Sequence, residues 1–170
     1  MLGSVMTRMI EYFGGDKKRI HHAMKVYGFS CALWSMEAKK RGLSLEDQRR
    51  TTLMYAAILH DIGIVEAERK HGSCDGKYQE AEGPAIAEGI LRDCGVSEET
   101  IRRVCFLIGH HHTYHVIDDL DFMILVEADL FVNLEEEKLP PEAVQTAREK
   151  WMKTAGSADL LRMYLLERQV

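Results

Sequence analysis

The chain has 170 residues, 46% apolar and 29% charged, with a net charge of −5. That composition predicts one globular domain and excludes a wholly disordered chain. It offers no broad basic surface for a nucleic-acid polymer or an anionic membrane, and no run approaches the roughly 18 apolar residues of a membrane span. The segment MLGSVMTRMIEYFGG lacks an export signal's cleavage pattern, and Cys31, Cys74, Cys94 and Cys105 form no CxxC pair. Free thiols in a reducing cytoplasm are therefore the expectation.

The helical period runs through the chain. Ser4 can cap a first helix that ends at Gly14-Gly15. Asp16 can cap a second, to about Arg41 with Gly42 as its stop, whose face reads Ile20, Met24, Tyr27, Cys31 and Trp34. A third starts near Leu45 and ends around His60-Asp61, with Gly63 beyond. The polar stretch 64–77 reads as a loop after one helical turn, with a solvated loop ranking ahead of a lid. A fourth helix follows from about Tyr78 to Cys94. Ser97 caps a fifth, which runs into His110-His111-His112. An Asp-rich turn leads to a sixth, Phe122 to about Glu136, apolar enough to be central. Pro141 suits the first turn of a seventh, to about Thr154, and Ser157 caps a last one to Glu167. No strand pattern competes, so the prediction is an all-α domain of six to eight helices.

Chemistry concentrates in three places: His21-His22, His60-Asp61 after the apolar run AAIL, and Asp129 within ILVEADLFV. A bare carboxylate in an apolar helix is costly unless it is paired or binds a cation. Taken alone, His60-Asp61 reads better as a helix end whose His satisfies carbonyls and whose Asp starts a turn. Imidazole and carboxylate from several helices together suit Mn, Fe, Co or Ni, with Mg and Zn ranking lower. Adjacent His21 and His22 point about 100° apart on a helix, so one of them can serve.

The segments RIHHAMKV, ILHDIG and VEADLFVN, in this order, resemble the motifs of the HD-domain metal-dependent phosphohydrolases, over roughly residues 16–137. The resemblance selects His22 and implies a helical HD domain in which His22, His60, Asp61 and Asp129 bind the metal. Asp61 would double as general base. It places His110 and His111 either on a second metal or against the substrate phosphate, to stabilise charge or protonate the leaving group. Binuclear members carry a further His where this chain has Gly83, with Glu82 beside it. Glu82 thus stands open between second-metal ligand, general base and ordinary surface residue.

The expected activity is hydrolysis of a small phosphomonoester or phosphodiester, nucleotide-like, by metal-activated water, with one ion or two. The alternatives are a di-iron oxygenase on the same fold and a non-catalytic metal- or nucleotide-binding module. Lys77, or Arg69 and Lys70 before it, could contact a phosphate. The run Glu135-Glu136-Glu137 and His115 read as solvated. The C-terminal helices, 141–168, either pack on the core or form a homodimer contact.

Overall fold

The structure, a computed structural model, describes residues 1–44 and 46–163. Among these are nine α-helices and no strand: α1 (Leu2–Phe13), α2 (Lys17–Arg41), α3 (Gln48–Leu59), α4 (Ile64–His71), α5 (Gly76–Asp93), α6 (Glu98–Ile108), α7 (Leu120–Glu136), α8 (Pro141–Trp151) and α9 (Ala155–Leu161). A 3₁₀ turn, Tyr114–Val116, lies between α6 and α7. The all-α class is as expected. The count is one higher than the range expected because 64–71 is a helix.

Several boundaries follow from local chemistry. The Asp16 side chain accepts from Arg19 N, and Gly42 closes α2 in the left-handed region at φ 65°. The Ser97 hydroxyl accepts from Thr100 N and opens α6. Other boundaries differ from expectation. Ser4 lies inside α1, which begins without a side-chain cap. The side chain of Asp47 caps α3, so that helix starts three residues after Leu45, which lies outside the described residues. Thr154, not Ser157, caps α9, and residues 164–167 of the expected last helix are likewise outside. The polar composition of α4 hid a helix that buries one alanine, Ala67, against the body.

The face of α2 also differs. Its buried residues are His22, Ala23, Val26, Ser30, Leu33, Trp34, Glu37 and Ala38, whereas Met24 is exposed and Ile20, Tyr27 and Cys31 are half-buried. The true face was masked because three of its members are polar. Of these, Glu37 accepts from Arg41 and from the backbone N–H of Gly156, and His22 belongs to the site described below.

Helix α3 is buried on all sides from Thr52 to Leu59 and packs against α1, α2, α6 and α7. Together with α7 it forms the centre of the main core, to which Trp34, Ile62, Leu91, Leu107 and Phe122 belong. A smaller apolar cluster, Phe131, Leu134, Val144, Met152 and Leu161, seats α8 and α9 on α7. Two buried carboxylates fix the outer helices. Glu127 accepts from the backbone N–H groups of Lys153 and Thr154 and from the Thr154 hydroxyl. Arg103 forks to Asp121 and Asp118, locking α6 to the start of α7. This lock matters because α6 and α7 carry two sides of the site.

Candidate metal centre

His60 is the cap residue of α3, and its Nδ1 donates to Ala57 O at 3.0 Å. His111 follows α6 and does the same to Ile108 O at 2.7 Å. In both cases a helix C-terminus has spare carbonyls, and satisfying one turns the Nε2 of the ring away from the helix. His22, in the first half of α2, is oriented differently: its Nδ1 lies 3.2 Å from Glu136 Oε2 at the end of α7. Three rings are thus held at Nδ1, and three Nε2 atoms are free to face inward.

Those inward atoms converge. His22 Nε2 and His60 Nε2 are 3.2 Å apart, and they lie 3.1 and 3.5 Å from Asp129 Oδ1. Asp61 Oδ2 stands 3.6 and 3.5 Å from the same two nitrogens. Asp129 is positioned by Asn133, one turn on, whose Nδ2 donates to Oδ1 at 3.0 Å. On the other side of Asp61, His111 Nε2 is 3.5 Å from Oδ1. Two compact groups of donor atoms result: His22, His60 and Asp129, and beside them Asp61, His111 and His112. Each could hold a metal ion.

The electrostatics are those of a tightly packed set of opposite charges. Burial opposes the charged form of His22, but Asp129, Asp61 and Glu136 outweigh it and raise its pKa to about 9. His60 is raised against complete burial by Asp61 and Asp129. Burial likewise opposes ionisation of Asp61, yet His60 and His111 hold its pKa down to about 2. Asp129 is held well below the usual carboxylate range by His22 and His60, again against burial. His112 goes the other way. Burial, and next the charge of His111, lower it to about 4, so its ring is neutral near pH 7. The Nε2 atoms of His111 and His112 are buried and have no hydrogen-bond partner. Buried ring nitrogens with no partner, next to a carboxylate, are the donor chemistry of a cation site.

A cavity of about 530 Å³ opens onto this cluster. His22, Asp61, His112 and Asp129 border it, with Asn133 and Gln79 on the walls and Lys18, Arg19, Glu68 and Glu137 among its further lining. A second cavity of about 550 Å³ lies between the end of α2 and α8–α9, bordered by Lys40, Arg41, Arg148 and Lys153, and none of the clustered histidines reaches it.

The structure brings His22, His60, Asp61, Asp129 and His111 together and leaves other candidates apart. His21 is exposed on α2, as the 100° offset requires. His110, its Nδ1 bonded to Phe106 O at 2.8 Å and its ring against Phe106, belongs to neither donor group, and His112 stands there in its place. Glu82 accepts from Lys70 and pairs with His71, which makes it part of a surface network between α4 and α5. Arg69 is paired with Glu66. Lys77 is exposed over the Tyr78 ring, away from the cavity walls.

Four contributors were missed. Glu136, read as solvated, holds His22 and accepts from Lys25 at 3.1 Å. Asn133 and Glu136 follow Asp129 by four and seven positions, one face of a helix, so the spacing itself carried the signal. His112 is fixed through its backbone N–H by Glu80, which also accepts from Thr113. Glu80 and Gln79 gave no sequence signal, since their roles depend on where α5 meets the turn after α6. Compared with protein-family models, with curated proteins and with solved structures, the chain finds no match.

Proposed function

We propose that the protein is a metal-dependent phosphohydrolase that cleaves a small phosphoester. The observation that carries this reading is the orientation of three imidazoles. His22, His60 and His111 each engage Nδ1 with a carboxylate or a backbone carbonyl and present Nε2 to Asp129 and Asp61. Metal-binding histidines are oriented in this way, the outer hydrogen bond fixing both tautomer and direction. The mixed nitrogen and oxygen set fits Mn, Fe, Co or Ni.

His22, His60, Asp61 and Asp129 would hold the first ion, with Asp61, His111 and His112 available to a second. A divalent ion there supplies Lewis acidity toward a phosphoryl oxygen and makes a water acidic near neutral pH. The remaining work belongs to the chain. Asp61, ionised across the physiological range, accepts the proton of the attacking water. His111 Nε2, 3.5 Å from Asp61 Oδ1, is placed to pass that proton toward the leaving group. Lys18 at the cavity border meets the phosphate charge, while Arg19 beside it is paired with Glu68. The cover of α2, α5 and α7 limits access of bulk water to the buried rings.

The test is metal content by elemental analysis on protein purified without chelator or metal-binding tag, followed by phosphate release from p-nitrophenyl phosphate and a panel of nucleotides and sugar phosphates. About one or two ions per chain are expected, with metal and turnover both lost in Asp61→Ala. Protein that takes up no ion after reconstitution contradicts the reading. Two irons with dioxygen consumption and no phosphate release would replace it with an oxygenase, a reading that the second donor group keeps in view.

A further inference from the structure

One polar atom near the cavity has no role in the ligand set. Gln79, on the first turn of α5, is 7% exposed and lines the cavity together with Cys74 and His112. Its Nε2 donates to Cys74 O at 2.7 Å, which fixes the sense of the amide. Its Oε1 is shielded from bulk water and has no partner. Buried acceptors are almost always satisfied, so one left over beside an active cavity points to a group that arrives with the ligand.

The position of Gln79 is set by backbone. Its carbonyl oxygen lies against Gly63, two residues after Asp61, so closely that a Cβ at Gly63 would sit 2.5 Å from it. One turn before, Gly76 packs on the His112 ring, where a Cβ would sit 2.6 Å from its carbons. The start of α5 is therefore held against both flanks of the site. An amide oxygen can only accept, so its partner must bring a hydrogen. The charge around the opening narrows the choice. Asp16, Glu68, Glu136 and Glu137 border the cavity against Lys18 and Arg19, and Arg19 is already engaged by Glu68 at 2.6 Å. Such a border suits one phosphate at the ion with an uncharged remainder, and disfavours a chain of phosphates.

We infer that Gln79 is a substrate-positioning residue whose Oε1 accepts a hydrogen bond from a hydroxyl of the leaving group, so that the substrate is the monophosphate of a sugar or polyol. This rests on the phosphoester reading above and adds the class of leaving group to it.

The test uses two esters that differ only in hydroxyls, glycerol phosphate and n-propyl phosphate. Their affinities for the manganese-loaded protein are measured by calorimetry and their turnover by phosphate release. Wild-type protein should bind glycerol phosphate about tenfold more tightly, the size of one buried hydrogen bond. In Gln79→Met that ratio should fall to about twofold or less, with metal content retained. Equal affinities in the wild type overturn the inference, as does a ratio that Gln79→Met leaves intact. If Gln79→Met does not fold, Gln79→Leu is read in its place, and equal affinities in the wild type still overturn the inference. A binding preference without turnover upholds the role of Gln79 and removes the hydrolase. Turnover of both esters without preference upholds the hydrolase and removes the role of Gln79. Binding of neither ester overturns both.

Discussion

A single hydrogen bond at the rim of the cluster illustrates how individual residues control it. Glu136 Oε2 lies 3.2 Å from His22 Nδ1, and Oε1 accepts from Lys25 at 3.1 Å. Burial works against its charge, but Lys25 and His22 hold it ionised, below the usual glutamate range. The carboxylate therefore fixes the ring and keeps electron density on Nε2, the atom that faces the other donors. Removing the charge while keeping the shape should weaken metal binding without removing a ligand. In Glu136→Gln the affinity for manganese should fall about 10- to 100-fold, the usual cost of losing an outer-shell partner. Titration of the chelator-stripped protein measures it. An unchanged affinity would mean that His22 is oriented by α2 alone.

At the scale of the helices, close backbone approach positions the site. A Cβ on Gly63 would fall 2.5 Å from Gln79 O and 2.6 Å from Gly83 N, and backbone cannot swing aside as a side chain can. Gly63→Ala must therefore push α5 from the turn that carries His60 and Asp61. Overpacking of this kind costs about 1–3 kcal/mol, or roughly 3–10 °C in melting temperature for a chain of this size. A thermal melt checks the shift, and metal content should fall with it. A melt within a degree of wild type would mean that the two segments separate freely. Gly63 also shows what was legible in the sequence. Its place after the His-Asp pair suggested a helix stop, and nothing in the sequence pointed to contact with residues 79–83. His60, Asp61 and Asp129 were legible because they stand out against apolar neighbours, whereas His22 was separated from His21 only by the resemblance of RIHHAMKV. The helix faces were less so. The buried stripe of α2 contains His22, Ser30 and Glu37, which polarity assigns to the surface. Glu127, central to α7, is buried because α9 brings Thr154 to it, a pairing 27 residues apart that periodicity does not encode.

Over the whole molecule, the cluster ties stability to pH and to metal. It joins α2, the end of α3, the turn after α6, and α7, so its charge state acts on the main core as a unit. In chelator, His22 and His60 hold protons among the carboxylates. His22 is raised from 6.5 to about 9 and His60 is raised too. Such groups add stability that is complete below about pH 6.5 and is lost as pH rises through about 9. Asp61, lowered from 3.8 to about 2, and Asp129, lowered further, act in the opposite sense. Their contribution is present above about pH 4 and is lost as pH falls through about 2. The chelated protein should therefore be most stable between about pH 4 and 6.5, and its melting temperature should fall by several degrees toward pH 9. A bound ion requires neutral imidazoles, so it takes the place of the protons, and its stabilisation grows as they leave. Melting curves in EDTA and in excess manganese should nearly meet at pH 5.5 and separate progressively to pH 8.5. Parallel curves, or a gap that narrows with pH, would show that the ion binds elsewhere than among these histidines.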